Sequence, residues 1–501
     1  MFHAKVDAAE FANERGSPCF GLSLKGIAGQ AAGSFEVVVH ELSATGFLIQ
    51  SNQPLDIGAP IDLDVPGIGV ATGRVVWGSE RFFGGDFLLP VSEQACSAAL
   101  TQSRIVAGDF PRRTAADPEA SRTATGATIP FNRPSIVGHE IDFLRDSIRR
   151  GQLSGDGHYT KRCNASIQNI TQSPKALITH SCTAALEMAA ILCNLAPGDE
   201  VILPSFTFVS TANAIVMRGA TPIFVDVDAR SLNIDPVRAE AAITPRTKAI
   251  FAVHYAGFPA DMDALRRITE PHGLLLVEDA AQALGSFYKG RRAGSLGDLA
   301  AFSFHETKNI ISGEGGALTI NRPDLVQRAE IIREKGTDRS KFMRGEVDKY
   351  TWVDLGSSYL PGELVASYLF GQLELEPMIK QRRLSIFDRY MQALAPLASS
   401  GAVGLPHIPE HCVGNGHMFY LLMRSPEQRD EFIAHMRSNG IVTPFHYVPL
   451  HSAPAGRRFG RTAGPMTETD RVSDTLVRLP LFFDLESKVE EVIDCVLDFF
   501  R

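Results

Sequence analysis

Four short stretches of this chain carry residue types that could act together on one substrate. Thr179-His180-Ser181-Cys182-Thr183-Ala184-Ala185 joins a short apolar run, 175–179, to a helical stretch, 183–195. The unpaired amides at such a helix start, with hydroxyls beside them, suit a phosphate. A plain N-cap accounts for the same residues. Asp279 closes the apolar run of Leu274-LLVEDAAQALG. Its carboxylate either caps a helix or keeps a pyridine nitrogen protonated, which makes the ring an electron sink. Lys308 stands in Ala301-FSFHETKNIISGEGGAL, after a strongly apolar strand and before Gly313-Glu314-Gly315-Gly316. Most lysines are solvated surface residues, but this placement favours a partly buried amine, with a lowered pKa and greater reactivity toward a carbonyl. Ser303, at the end of the same strand, could reach the phosphate. Phe208, in Pro204-SFTFVSTANA, either packs in the core or stacks on a flat ring.

Singly these signals are modest; their order is specific. A phosphate turn, an aromatic, an aspartate, then a serine and a lysine follow one another, each just after an expected strand. Ligands of α/β sheets sit at the carboxyl ends of the strands, so the four can share a crevice. The turn His180-SCTAAL lacks GxGxxG, which counts against a nicotinamide-binding domain.

The elements that must position these residues lie between positions 128 and 363, where apolar strands alternate with helical stretches, as in an α/β domain with a mostly parallel sheet. Strands are expected at 175–179, 201–203, 222–225, 249–254, 274–278 and 299–304. Residues 364–501 open with a long helical stretch, 364–389, and then mix strands and helices as a smaller second lobe would. Upstream, 106–127 is rich in Ala, Thr, Pro, Asp and Arg and reads as a linker. Residues 1–105 read as a small antiparallel β-barrel with strands at 34–40, 46–50, 61–65, 70–77 and 82–89 and a closing helix at 92–104. A chain of 501 residues is long enough for two or three such domains.

Composition narrows the function. A net charge of −8 gives no basic footprint for nucleic acid. The seven cysteines are scattered with no CxxC pair, so no metal site is expected, and the set fits reduced thiols in a cytoplasm. The N-terminal residues lack a signal-peptide apolar core, and no run of about 18 apolar residues predicts a membrane span.

Several blocks together carry a resemblance: Ile129-PFNRPSIVGHE, Ser181-CTAALEMAA, Pro204-SFTFVSTANA, Val277-EDAAQALGS, Phe302-SFHETKN and Gly313-EGGAL. Over residues 128–501 the chain resembles the DegT/DnrJ/EryC1/StrS sugar aminotransferases, fold-type I enzymes that use pyridoxal 5'-phosphate (PLP). Phe302-SFHETKN and Trp352-VDLGSSYLPGEL are similar to the branch that aminates dTDP-4-oxo-6-deoxyglucose for enterobacterial common antigen. The resemblance implies that Lys308 holds the cofactor covalently and moves the proton during transfer. It implies that Asp279 pairs with the ring nitrogen, that Gln282 lies near the ring hydroxyl and that Phe208 stacks on the ring. Cys182, Thr183 and Ser303 would hold the phosphate. It implies a homodimer, in which Ser358 replaces the Asn of the Gly-Tyr-Asn-Tyr-Arg motif that reaches the partner's cofactor phosphate. Ser154 and Gly155, and His446, Tyr447 and His451, fall in segments that approach the sugar, although structural turns and loop histidines fit them equally. The implied reaction moves an amino group from glutamate to C4 of a nucleotide-linked 4-keto-6-deoxy sugar, giving a product of the dTDP-4-amino-4,6-dideoxygalactose type. Related PLP-dependent dehydratases carry His where this chain has Lys308, so transamination is favoured. The other alternative is a non-catalytic signalling or docking protein that keeps the fold as a scaffold.

The N-terminal region resembles PilZ domains through Glu41-Leu42-Ser43-Ala44-Thr45-Gly46, Gly73-Arg74-Val75-Val76-Trp77 and Gly85-Asp86-Phe87. The RxxxR pair that grips cyclic di-GMP in such domains has no counterpart upstream of Glu41, and Lys25 alone cannot replace it. The module therefore reads as a degenerate PilZ-like docking domain.

Overall fold

Alternation of polar and apolar residues builds the first domain. In Pro60–Val65 every second side chain is buried, the period of a strand with one face on a core. Six such strands, Cys19–Gln30, Gly33–Ser43, Gly46–Ser51, Pro60–Val65, Gly69–Gly78 and Phe82–Phe87, pair antiparallel into a closed barrel. Cys19–Gln30 closes the ring by pairing with Gly33–Ser43 on one side and Pro60–Val65 on the other. That strand was missing from the sequence reading, because glycines at 21, 26 and 29 dilute its alternation. Val39, Ile49, Leu63 and Val75 fill the interior. The Phe47 ring fits there because Gly73 and Gly85 lack side chains: a Cβ on Gly85 would stand 2.4 Å from that ring and from the Arg74 carbonyl oxygen.

The computed structural model describes residues 19–30, 33–43, 45–66, 68–78, 82–92, 95 and 128–501. The linker expected at 106–127 and nearly all of the expected helix at 92–104 lie outside the described residues. The chain divides into two compact units, Met1–Thr123 and Ala124–Arg501.

The second unit is organised by an eight-stranded sheet in the order 461–462, 221–225, 200–204, 247–253, 275–279, 299–303, 316–320, 175–179. Gly316–Ile320 pairs antiparallel with both of its neighbours, while the remaining pairings are parallel. Strands buried on both faces read as unbroken apolar runs, as Val201-Ile202-Leu203 and Ile250-Phe251-Ala252-Val253 do. The helix Cys182–Leu192 is apolar almost all round and buried through most of its length, so its N-terminus is fixed by packing.

The long helical stretch expected at 364–389 is instead two helices, Glu363–Glu374 and Glu376–Ser399. Leu375 breaks them, and Pro377, which lacks an N–H, sits in the first turn of the second, where none is needed. The smaller lobe pairs Phe419–Leu422 with Leu476–Leu479 and packs helices around them. Among the described residues no helix is long and apolar enough to cross a membrane, and no group of side chains could hold a metal ion.

A buried glutamate ties the sheet to the loop before the strand 299–303. Glu278 accepts from the amides of Gly294 (2.8 Å), Leu296 (2.8 Å) and Gly297 (2.6 Å) and contacts His254 Nε2 at 2.9 Å. Glu278→Ala would leave these donors buried without an acceptor. The expected cost is about 3 kcal/mol or more in denaturant unfolding of this domain; a loss below about 1 kcal/mol would contradict this account of the loop.

Candidate active site

The site begins where three strand ends meet the buried helix. Register sets Thr179 beside Gly316, and Gly316 beside Ser303. The strand 175–179 then turns through Ser181 into the helix. The Ser181 hydroxyl caps that helix by accepting from the Ala184 amide at 3.1 Å, so the amides of Cys182 and Thr183 open its first turn. The Thr183 hydroxyl lies 2.8 Å from that of Ser210, on the next helix, Val209–Val216. Gly316 lets its strand touch this turn: a Cβ there would meet the Ser181 carbonyl carbon at 2.3 Å and the Cys182 nitrogen at 2.4 Å. The result is a rigid cluster of N–H and O–H donors at a helix start, the arrangement that suits a phosphate dianion.

Asp279 ends the neighbouring strand and is nearly buried. Its Oδ2 accepts from the Thr211 hydroxyl at 2.6 Å and its Oδ1 from the Ala281 amide at 3.2 Å. Burial pushes its pKa above the usual carboxylate range, against the pull of those two bonds. A cationic N–H facing this carboxylate would restore its ionised form, so a protonated ring nitrogen fits the place. Lys308 follows in a turn closed by its own amide on the His305 carbonyl, 2.9 Å. Burial lowers the pKa of its amine, while the Cys182 thiol and the Asp279 carboxylate act the other way.

These residues line one cavity of about 630 Å³. Cys182, Thr183, Phe208, Asp279, Gln282, Ser303, Lys308, His446 and Tyr447, all singled out in the sequence, face it. Phe208 is 57% exposed, so its ring is free to cover a flat ligand, whereas Phe206 is the aromatic that packs inside. Gln282 is spent at both ends: its Oε1 accepts from the Ala256 amide at 2.7 Å and its Nε2 donates to the Tyr447 hydroxyl at 3.0 Å. His446 Nδ1 lies 3.0 Å from the Tyr255 hydroxyl, and burial pushes its pKa well below the ordinary histidine value.

Other expected contacts fall elsewhere. His451 is not among the residues that line the cavity; Ser205 engages its Nδ1 at 2.8 Å and Asp470 faces its Nε2 at 3.3 Å. Ser154, Gly155 and Ser358 are also absent from this chain's cavity lining. Their two segments instead meet each other, since a Cβ on Gly155 would stand 2.4 Å from both Leu360 Cγ and the Pro361 carbonyl oxygen.

Sequence reasoning missed Ser210, Thr211, Arg383, His417 and Arg478. The first two lie in the already singled-out run after Pro204, and their spacing from Phe208 on a helix could have found them. Arg383 looks like any helical arginine in sequence, yet it is buried and bonded to the carbonyls of Gly416, His417 and Leu481. Burial brings its pKa down to about 9. Asn309, next to Lys308, holds His417 Nδ1 at 3.0 Å.

A family model described as the DegT/DnrJ/EryC1/StrS aminotransferase family matches residues 134–497. The barrel lies outside that range. The spore coat polysaccharide biosynthesis protein SpsC of Bacillus subtilis is 33% identical over 382 residues, covering 74% of this chain and 96% of SpsC. The aminotransferase TlmJ from Streptoalloteichus hindustanus superposes with a TM-score of 0.69 at 30% identity, covering 75% of this chain and 99% of TlmJ. Spr1654 of Streptococcus pneumoniae in its PMP form gives 0.69 at 30% identity, over 74% of this chain and 98% of that one.

The depressed basicity of Lys308 can be read without any cofactor. Reductive methylation with formaldehyde near neutral pH, followed by peptide mass spectrometry, is expected to modify Lys308 ahead of exposed lysines such as Lys248, because more of it is unprotonated. Modification of Lys308 only at the pH that labels exposed lysines would contradict the geometry described.

Proposed function

The chain belongs to the DegT/DnrJ/EryC1/StrS aminotransferase family, and on that premise we propose that it transfers an amino group from glutamate to C4 of a nucleotide-linked 4-keto-6-deoxy sugar, of the kind that gives dTDP-4-amino-4,6-dideoxygalactose. Enzymes of this family use PLP. The observation that carries the reading is the meeting of Lys308, Asp279 and the Cys182–Thr183 helix start in one cavity.

PLP, when bound, supplies a conjugated ring that spreads negative charge from the reacting carbon. The chain's own residues do the rest. The amides of Cys182 and Thr183, with the hydroxyls of Thr183, Ser210 and Ser303, would hold the phosphate. Asp279 would keep the ring nitrogen protonated, and the Thr211 hydroxyl fixes the carboxylate's direction. Lys308 would hold the cofactor and would serve to move a proton at the substrate carbon, a task that its lowered pKa suits. Phe208 would cover the ring, and Gln282 fixes Tyr447 at the wall of the same cavity. Leu186, Met418 and Leu481 add apolar walls that limit water at the reacting centre. Lys rather than His at 308 favours amination over dehydration.

The sugar is the finer part of the proposal. Support comes from the blocks around Phe302 and Trp352, and from a relative named for polysaccharide biosynthesis. The proposal includes a homodimer, the assembly that the family resemblance implies, with Ser154, Gly155 and Ser358 assigned to the partner's site. The barrel is assigned to docking on a PilZ-like plan, and the enzyme to the cytoplasm.

Purified protein loaded with PLP is expected to show the visible absorbance of the lysine-bound cofactor, to lose it on adding glutamate, and to recover it on adding the keto sugar. Lys308→Ala is expected to show no such band and to lose at least about a thousandfold in transfer rate. A wild-type protein that takes up PLP without forming that band would sink the catalytic reading.

A further inference from the structure

Two side chains beside Lys308 have no task in the reaction so far described. Asn309 follows the lysine in the same turn. His417 belongs to the segment Asn415-Gly416-His417, just before the smaller lobe's strand Phe419–Leu422. That segment gathers three parts of the site. The Asn415 side chain donates from Nδ2 to the carbonyls of Gln282 and Leu284, both at 2.9 Å, in the loop after Asp279. Arg383, on the helix Glu376–Ser399, donates to the carbonyls of Gly416 at 3.0 Å and His417 at 2.8 Å. Asn309 supplies the third tie: its Nδ2 donates to the Asn415 carbonyl at 2.9 Å, and its Oδ1 lies 3.0 Å from His417 Nδ1. Gly416 makes the crossing possible, because its φ is +65° and a Cβ there would stand 2.9 Å from the Arg383 carbonyl carbon.

We propose that Asn309 and His417 are a positioning pair, which holds the Lys308 amine in its buried place by tying the lysine's turn to the smaller lobe. The inference rests on the reading of Lys308 as the cofactor lysine. The bonds fix a tautomer as well as a position. With the Asn309 Nδ2 spent as a donor, Oδ1 is the accepting end, so His417 Nδ1 carries the proton. Burial, with the cations Lys308, Arg383 and Arg478 near, pushes the His417 pKa well below the ordinary value. The neutral ring therefore braces the turn without adding a charge beside the lysine. Other bonds of the turn, from the Lys308 amide to the His305 carbonyl and from the Glu306 amide to the Gly313 carbonyl, both 2.9 Å, shape the loop itself. Asn309 differs from them in joining that loop to a separate lobe. Both members of the pair act through the lysine, and a reacting amine that is slightly misplaced loses rate more than it loses binding.

The first test needs no cofactor. Reductive methylation of Lys308 near neutral pH is compared with that of the exposed Lys248 in wild type, His417→Leu, Asn309→Leu and His417→Asn, the last of which keeps an N–H donor near the place of Nδ1. Wild type and His417→Asn are expected to label Lys308 first. Both leucine variants should lose that lead, because an untied lysine reaches water and regains its ordinary basicity. The second test follows the loss of visible absorbance when PLP-loaded protein meets glutamate. The leucine variants are expected to slow about ten- to a hundredfold at saturating glutamate, with half-saturation changed less than about threefold, and His417→Asn to recover most of the rate. Cooperative denaturant unfolding checks that each variant is folded; if His417→Leu is not, Asn309→Ala carries the comparison. Leucine variants that lose stability yet keep both the labelling lead and the rate give the pair a structural role alone and overturn the proposal. So does His417→Asn slowed as much as His417→Leu, which would put the ring's other edge in contact with the reactants. Wild type that forms no lysine-bound band with PLP sinks the aminotransferase reading, a failure separate from that of the tie, which the labelling decides.

Discussion

The site depends on one unfavourable placement: a carboxylate taken out of water at the end of a parallel strand. Asp279 has a single hydroxyl and a single amide to offset its desolvation. That is little for a buried ion, and its raised pKa reflects the shortfall. The neighbouring elements are arranged around the deficit. Thr211 is presented by a helix whose start is set by the run after Pro204, and the Lys308 turn projects a second strained charge into the same space. Burial works against the charged form of each group, and each charge favours the other.

The backbone makes this arrangement durable. Parallel pairing of 247–253, 275–279 and 299–303 aligns their carboxyl ends, and the reversed strand 316–320 brings a glycine against the helix start. Glu278, one residue before Asp279, faces the opposite side of the strand and gathers the amides of the loop at 294–297. Adjacent carboxylates thus serve different ends: one is saturated with donors and holds the fold, the other is left short of them and faces the cavity.

Much of this was legible in the sequence, for a physical reason. Strands buried on both faces must be apolar throughout, so the six expected sheet strands of the second unit could be seen, as could the polar residues that punctuate their ends. The reversed strand Gly316–Ile320 was hidden because its first residues belong to a glycine-rich run that reads as a loop. The helix break at Leu375 was hidden because Pro377 falls in a first turn, where proline leaves no gap in the apolar pattern. Long-range partners were the least visible. Nothing in the local sequence of Arg478 tells that Phe131, some 350 residues earlier, lies against it. His451 shows the converse: its neighbourhood resembles a ligand-binding segment, and only the positions of Ser205 and Asp470 reveal that both its nitrogens are engaged.

The barrel closes where Ile27–Gly29 pairs with Asp62–Asp64, while Cys19–Gln30 runs beside Gly33–Ser43 along most of its length. Over that closing stretch the ring offers no free strand edge, so an extended peptide cannot join it there by adding a further strand. What that stretch presents to the surroundings is then the side chains of its outer wall and the connecting turns. Point substitutions there can change the chemistry of that surface while the hydrogen-bonded ring beneath stays the same.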